Sequence, residues 1–331
     1  MLNQPELISL NKGEAVEHFL LVRKCEIRTS KANKPYLALE LADKSLSVNS
    51  NMFESFEEIY SRIKTGDIVK VKGIIEDYQG SPQIKVKSIR PAKAEENVTV
   101  MDFLAKSKRD LKEMKKEFFG RIEKISNSYL KKLLKNIFTD EIFHKYSTVP
   151  AGKSWHHSYI HGLLEHTLEI IKICDLICDF HSELNRDLLI SGAILHDFGK
   201  IEELSIESGF EYTDKGKLIG HIVIAAIYTE SKINEIENFP EELKTCLLHL
   251  ILSHQGKLEH ASPVVPKTLE AIALYHADEL SAKVNAYKNA LTSEMKSEGK
   301  WTKFLSLADT DLFSHGINSE TEKKINESLF D

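Results

Sequence analysis

The amino-acid sequence predicts a multidomain protein in which an N-terminal all-β barrel of the OB type precedes an all-α bundle. Three observations support this fold class. Residues 19–90 contain short runs of alternating apolar and polar positions, residues 151–290 repeat apolar positions at helical spacing, and the net charge changes sign between these parts. Residues 1–92 carry a net charge of +2, residues 93–150 carry +4, and the remainder carries −12. We therefore expect a first unit that tolerates a polyanion and a second that can hold cations.

The barrel is predicted from the order of its elements. Strands are expected at residues 19–28, 35–42 and 46–53, a helix at 55–63, and two further strands at 67–78 and 82–90. The order β-β-β-α-β-β is that of an OB-fold, whose open face commonly holds single-stranded oligonucleotides. We assign residues 1–92 to this nucleic-acid-binding domain.

Single strands are bound by positive charge along the phosphates and by aromatic rings that stack on bases. The last two predicted strands place valines and isoleucine on one face and lysines on the other. The candidate contacts, to which we add one lysine from the following segment, are Tyr36, Phe53, Lys70, Lys72, Tyr78, Lys85, Lys87 and Lys112. The alternative is that the aromatic rings fill the barrel and the lysines are only solvated.

Residues 93–150 read as a basic helical linker. Its lysines and arginine between residues 106 and 116 could guide a strand from the barrel to a second site, or simply form the solvated face of a helix. Helices are then expected at residues 159–180, 187–196, 220–235, 241–254 and 268–290. These helices define a domain at residues 151–290, followed by a C-terminal extension at 291–331 with no predicted role.

Histidines and aspartates lie on the apolar faces of these helices. His166, for example, follows Leu163 by three residues and precedes Ile170 by four. A single such histidine is commonly a satisfied core residue, but four imidazoles and two carboxylates in one small bundle are costly to bury unless they are paired or coordinated. A divalent metal would relieve this cost, and a His/Asp ligand set suits Mn, Fe, Ni, Co, Zn or, less well, Mg. The six positions are His166, His196, Asp197, His221, His254 and Asp278.

These residues occur in SWHHSYIHGLLEHT, ILHDFGK, IGHIV, LSHQGK and YHADEL, and this ordered set resembles the HD-domain phosphohydrolases. Together with a preceding OB-fold, the chain is most similar to one subgroup, the YhaM-type 3′-to-5′ exoribonucleases of Gram-positive bacteria. The resemblance covers nearly the whole chain. The HD doublet alone is only moderately specific, whereas six positions in order behind a barrel are highly specific.

The resemblance implies a hydrolase that degrades single-stranded RNA, with single-stranded DNA as a further substrate, to nucleoside 5′-monophosphates by attack of metal-activated water. It implies one or two divalent ions per chain, with Mn preferred and Co, Fe, Ni or Mg as alternatives. The primary metal would be held by His166, His196, Asp197 and Asp278, and a second position by His221 and His254. Lys200 would offset charge on the phosphoryl oxygens. His157, or its neighbour His156, would bind the terminal phosphate or protonate the leaving oxygen.

Two rival functions remain open. One is an HD phosphohydrolase of small or cyclic nucleotides with the barrel as a regulatory module, which the presence of an OB-fold disfavours. The other is a nucleic-acid-binding protein with a structural metal, which six ligand positions and Lys200 disfavour because a structural site needs about four ligands.

Composition restricts the remaining possibilities. The chain has 331 residues, of which 42% are hydrophobic and 28% charged, and this excludes collagen-like and mostly disordered classes. It has no long uncharged apolar run and no secretory leader pattern, so we expect no membrane partner. Four scattered cysteines agree with a reducing compartment, and the predicted location is cytoplasmic. A homo-oligomer is a further expectation.

Overall fold

The computed structural model describes residue 2 and residues 4–78, 81–153, 155–207, 209–293, 300–306 and 308–315. Its N-terminal part is a closed five-stranded barrel, which confirms the predicted OB-type fold. The elements are β1 (Ala15–Thr29), β2 (Pro35–Ala42), β3 (Ser47–Met52), α1 (Phe56–Arg62), β4 (Ile68–Tyr78) and β5 (Ser81–Pro91). Around the barrel the strands follow the order β1-β2-β3-β5-β4, and antiparallel pairing of β1 with β4 closes the ring.

The barrel closes because alternate side chains of its strands point inward. Val69, Val71 and Ile84 are buried, as the alternation predicted, whereas Lys85 is exposed. The pairing of β4 with β5 shifts register at Gly73, where an added Cβ would lie 2.6 Å from the carbonyl oxygen of Lys85. A glycine is therefore required where the two backbones approach each other at this irregularity.

The C-terminal part is mainly helical. Its first helices are α2 (Leu111–Glu123), α3 (Ser128–Ile137) and α4 (Asp140–Thr148). They are followed by α5 (Gly162–Phe180), α6 (Arg186–Leu195), α7 (Lys200–Glu203), the short strands β6 (Leu204–Ser205) and β7 (Glu211–Tyr212), α8 (Asp214–Ile219), α9 (His221–Asn234), α10 (Glu241–Ser253) and α11 (Leu269–Ser293). The five helices predicted beyond residue 151 are all present with slightly different ends. No helix of the described residues is long and apolar enough to cross a membrane.

The predicted basic linker does more than connect two domains. Phe118 of α2, Leu133 of α3 and Tyr146 of α4 are fully buried in the same apolar core as Leu163 of α5. The amphipathic pattern explains this, because the lysines occupy one face of each helix and the apolar residues the other. The domain boundaries at residues 92, 150 and 290 stay predictions, but helices α2–α4 pack as part of the bundle.

The barrel and the bundle meet through a small apolar cluster. Leu21 of β1 packs with Phe103, Leu104, Ile160 and Phe210, which come from the connecting segment, the loop before α5 and the residues before β7. The connecting segment is also fixed by its backbone, since Ile160 donates to Ala105 O over 2.9 Å and accepts from the N–H of Ser107 over 2.9 Å. This junction places one side of the barrel against the loop before α5 and the residues before β7.

Candidate metal centre

Five segments of the bundle bring the predicted ligands together. His166 lies in α5, His196 and Asp197 directly follow α6, His221 begins α9, His254 directly follows α10, and Asp278 lies in α11. All but His221 are buried, and the His221 side chain is only 18% exposed. The helical pattern therefore located a single cluster from residues more than 100 positions apart.

A glycine permits one of these approaches. Gly199 follows the HD doublet, and an added Cβ there would lie 2.0 Å from the carbonyl oxygen of His221. Any other residue would push the start of α9 away from the end of α6. Gly199 thus lets His221 reach the carboxylate of Asp197.

The carboxylate of Asp197 lies at the centre and is shared by two groups of histidines. Its Oδ2 lies 3.3 Å from Nε2 of His196 and 3.8 Å from Nε2 of His166. Its Oδ1 lies 3.4 Å from Nε2 of His221 and 3.7 Å from Nε2 of His254. Asp278 joins the first group, with Oδ1 3.0 Å from Nε2 of His166. The arrangement forms two potential ion positions bridged by one carboxylate.

In three of the four histidines, the other ring nitrogen has a partner that can only accept. Nδ1 of His196 lies 2.8 Å from the Ala193 carbonyl oxygen, and Nδ1 of His254 lies 2.7 Å from that of Ile251. Nδ1 of His221 lies 2.9 Å from the Glu203 carboxylate. These three Nδ1 atoms must therefore carry the proton, which leaves Nε2 as a lone-pair donor for a metal.

The fourth histidine, His166, also carries its proton on Nδ1, because its partner is a hydroxyl that donates its own hydrogen elsewhere. Ser281 donates its Oγ hydrogen to Glu169 Oε2 over 2.9 Å, so its oxygen accepts from Nδ1 of His166, 3.0 Å away. Each predicted ion position consequently has one histidine oriented by a backbone carbonyl. The other histidine of each pair is oriented by a carboxylate. Glu203 contacts His221 directly, and Glu169 acts on His166 through Ser281.

A divalent metal fits this site because four of its inward-facing atoms have no hydrogen-bond partner among the described residues. Nε2 of His166, His196 and His221 and Oδ1 of Asp197 are buried and unpartnered among the described residues. With the protons on Nδ1, the Nε2 lone pairs face carboxylate oxygens at 3.0–3.8 Å and repel them. A cation removes this repulsion, and nitrogen plus carboxylate oxygen is a ligand set for transition metals.

The electrostatics keep the site ready to bind a cation. Burial would raise the pKa of Asp197, but Lys200 and His196 hold it well below its usual range, so the carboxylate is ionised. Burial and the neighbouring His196 lower the pKa of His254 to about 4. Burial would also lower the pKa of His196, but the Asp197 carboxylate outweighs burial and raises it.

A cavity of about 200 Å³ opens above these ligands. Lys200 lines it and donates to Oδ2 of Asp197 over 2.5 Å, with only 8% of its side chain exposed. Of the predicted histidine pair, His156 lines the cavity, whereas Nε2 of His157 lies 3.2 Å from Glu169 Oε2, behind His166. Trp155 and Tyr275 also line the cavity, and the sequence reasoning did not single them out.

The predicted nucleic-acid contacts of the barrel are less uniform. Lys72 lies 3.0 Å from Glu17, Lys85 lies 3.5 Å from Glu76, and the Lys70 ammonium lies 4.4 Å from the ring centre of Phe19. Lys87 and Lys112 are exposed without an ion pair among the described residues. The rings of Tyr36 and Phe53 stack with centroids 5.0 Å apart, and Phe53 and Tyr78 are both more than half exposed.

Comparisons with known proteins agree with this architecture. Residues 163–283 match the family model of the HD domain, and residues 22–92 match that of the OB-fold nucleic acid binding domain. The 3′-5′ exoribonuclease YhaM of Bacillus subtilis (strain 168) is 33% identical over 290 residues, covering 88% of this chain and 91% of that protein. The YhaM proteins of Bacillus licheniformis and Oceanobacillus iheyensis are each 33% identical over 301 residues, covering 91% of this chain and 95% and 94% of those proteins. The chain belongs to the family of YhaM 3′-5′ exoribonucleases.

Proposed function

We propose that this protein is a metal-dependent 3′-to-5′ exoribonuclease that shortens single-stranded RNA and releases nucleoside 5′-monophosphates. The observation that carries the proposal is the shared carboxylate of Asp197, with two imidazole Nε2 atoms facing each of its oxygens. This arrangement lies under a solvent-accessible cavity in a chain that also has an OB barrel. The 3′ polarity rests on the relatives, because no distance in the site determines direction.

Six side chains would hold the metal. His166, His196, Asp197 and Asp278 form one position, and Asp197, His221 and His254 form the other. A divalent ion there lowers the pKa of bound water and offsets negative charge on a phosphodiester. The protein contributes fixed ligand orientation, since the Nδ1 partners prevent the imidazole rings from turning away.

Lys200 supplies the remaining positive charge. Its ammonium group is nearly buried and lies at the cavity wall, where its partner is Asp197. We propose that it contacts a phosphoryl oxygen of the bound strand and stabilises the charge that develops during attack. Of the histidine pair, His156 lines the cavity and would contact the terminal phosphate, whereas His157 lies 3.2 Å from Glu169.

The proposal also covers the native ion, a second substrate, the assembly and the cellular location. Mn²⁺ is the proposed native ion, because imidazole and carboxylate together suit it better than they suit Mg²⁺. Single-stranded DNA is a proposed second substrate, and a homo-oligomer the proposed assembly. The described cysteines are all free, which supports a cytoplasmic location.

Incubation with a 5′-labelled single-stranded RNA tests the proposal. With Mn²⁺ the wild type should produce a ladder that shortens from the 3′ end, and EDTA or Asp197→Asn should abolish it. Asp179→Asn is the matched control, because Asp179 pairs with Arg186 on the surface of the same domain. An intact RNA strand, together with hydrolysis of mononucleotides or cyclic nucleotides, would overturn the proposal in favour of the small-nucleotide phosphohydrolase.

A further inference from the structure

Two adjoining cavities flank the connecting segment between the barrel and the bundle, away from the predicted basic face. One has a volume of about 740 Å³ and the other about 610 Å³. Ala105, Lys106 and Lys108 line both, so the two cavities form one continuous groove, which we call the junction groove. The barrel side of the first cavity is mainly apolar and includes Leu46 and Ile75, whereas that of the second includes Asp43 and Lys44.

Two lysines of this groove hold no ion pair among the described residues, although Glu6, Asp43 and Asp102 also line it. They are Lys106 and Lys108, and both are exposed. By contrast, Lys72 and Lys85 on the barrel face each have a carboxylate within 3.5 Å. A phosphate that binds Lys72 or Lys85 must displace those carboxylates, whereas Lys106 and Lys108 have no ion pair among the described residues to break.

The junction groove also runs to the neighbourhood of the metal centre. Asn285 of α11 lines it, while Asp278 and Lys283 of the same helix line the cavity above the predicted ligands. The loop before α5 spans the same interval, with Tyr159 in the groove and His156 in the cavity. Both elements therefore connect the groove to the site where the proposed cleavage occurs.

Carboxylates at this inner end favour a ribose. Glu169 accepts from the hydroxyl of Ser281 over 2.9 Å and lies 3.2 Å from Nε2 of His157. Oε2 of Glu165 is buried, and no described residue donates a hydrogen bond to it. A carboxylate oxygen repels a phosphate but accepts from a hydroxyl, and the 2′-OH is the donor that distinguishes RNA from DNA.

We propose that the junction groove binds single-stranded RNA upstream of the cleaved nucleotide, with Lys106 and Lys108 against backbone phosphates and the apolar barrel wall against bases. This inference rests on the proposed function for its ligand. In this proposal the main electrostatic contact with RNA is made by the segment between the domains and not by the lysines of β4 and β5.

Binding measured without cleavage tests the inference. Fluorescence anisotropy with a labelled single-stranded RNA in EDTA would compare Asp197→Asn protein with and without Lys106→Gln/Lys108→Gln. Each phosphate contact contributes about 0.7 to the salt slope of a single strand, so losing two should reduce the slope by about 1.4. If affinities are equal at 1 M salt, that slope corresponds to about 25-fold weaker binding at 0.1 M.

Two double variants serve as controls. Lys124→Gln/Lys132→Gln removes the same charge from exposed lysines that line neither cavity of the groove and should leave affinity nearly unchanged. Lys72→Gln/Lys85→Gln tests the barrel face. Weaker binding in this variant, combined with wild-type affinity in the groove variant, would overturn the inference.

Hydrolysis of bis(p-nitrophenyl) phosphate with Mn²⁺ separates the inference from the proposed function. The groove variant in the active background should retain the wild-type rate on this small diester while losing activity on RNA. If the wild type degrades RNA but the groove variant binds it equally well, only the inference fails. If the wild type hydrolyses neither substrate, the proposed function itself fails.

Discussion

His221 and Glu203 are joined by two hydrogen bonds to one carboxylate oxygen. Nδ1 and the backbone N–H of His221 both donate to Oε1 of Glu203, each over 2.9 Å. Glu203 is buried, and it fixes both the ring of His221 and the start of α9. Nε2 of His221 is thereby directed at Oδ1 of Asp197.

We expect Glu203→Gln to weaken one ion position and spare the other. An amide is a poorer acceptor than a carboxylate, and loss of such an outer partner typically lowers metal affinity 10- to 100-fold. Calorimetric titration with Mn²⁺ should show two binding events, and the affinity of one of them should be at least tenfold lower than in the wild type. Glu202→Gln is the control, because Glu202 pairs with Lys215 at the surface. Equal weakening of both events would argue against two separately oriented positions.

Lys200→Met should separate catalysis from metal binding. The ammonium group is a cavity-lining cation rather than a predicted ligand, so its removal should leave the stoichiometry of bound Mn²⁺ unchanged. Loss of one charge-stabilising donor costs about 10²- to 10³-fold in kcat. Single-turnover RNA cleavage at saturating enzyme would measure this loss. Wild-type cleavage by Lys200→Met would mean that Lys200 only neutralises Asp197.

Helical spacing predicted the helices and the burial of the candidate ligands because burial follows that spacing. The positions of His166 and Asp278 relative to neighbouring apolar residues were enough to place both on buried stripes. The roles of Glu203 and His156 could not be predicted in this way. Glu203 is adjacent to Glu202 in the same short helix, and only the packing of α9 shows which carboxylate faces inward. The loop that contains His156 and His157 has a positive φ of 42° at His157. In this conformation His156 lines the cavity and His157 does not, and the sequence pattern does not predict this difference.

On the barrel face, the sequence pattern predicts the exposure of the lysines but not their ion pairs. Alternation correctly placed Lys72 and Lys85 on the outside of the barrel, but it contains no information on cross-strand partners. Glu17 on β1 lies opposite Lys72 in the register, and Glu76 on β4 lies near Lys85. A lysine pattern therefore predicts exposure, whereas the charge available to a ligand depends on strand pairing.

Acid should destabilise the metal-free protein. Burial, with a neighbouring histidine, lowers the pKa of His254 to about 4 and that of His156 to about 2. A histidine whose folded pKa lies below the unfolded value of about 6.5 takes up a proton more readily when unfolded, so stability falls as pH decreases below 6.5. His196, whose pKa is raised, gains its stabilisation as pH falls toward 6.5 and adds no further pH dependence below that value.

Urea unfolding in EDTA at pH 7 and pH 5 measures this effect. His254 alone should lower the free energy of unfolding by on the order of 2 kcal/mol between these values, at about 1.36 kcal/mol per pKa unit. The variant His254→Gln should show a shallower dependence because it cannot be protonated. An unfolding free energy that is the same at both pH values would contradict the assignment of these histidines as neutral and buried.

Phe53→Ala tests whether the stacked pair on the barrel contributes to binding. Phe53 is 57% exposed although its ring stacks on Tyr36, so one face of the pair is open to a base. A base that stacks on an aromatic ring contributes about 1–3 kcal/mol, which corresponds to about 5- to 150-fold weaker RNA binding in the variant. Because stacking involves no phosphate, the salt slope should stay at the wild-type value, unlike that of the Lys106→Gln/Lys108→Gln protein. Phe180→Ala is the control, since Phe180 is 70% exposed on α5 in the other domain. Equal affinity of the Phe53→Ala and Phe180→Ala proteins, measured by anisotropy in the Asp197→Asn background, would show that the pair only covers the barrel.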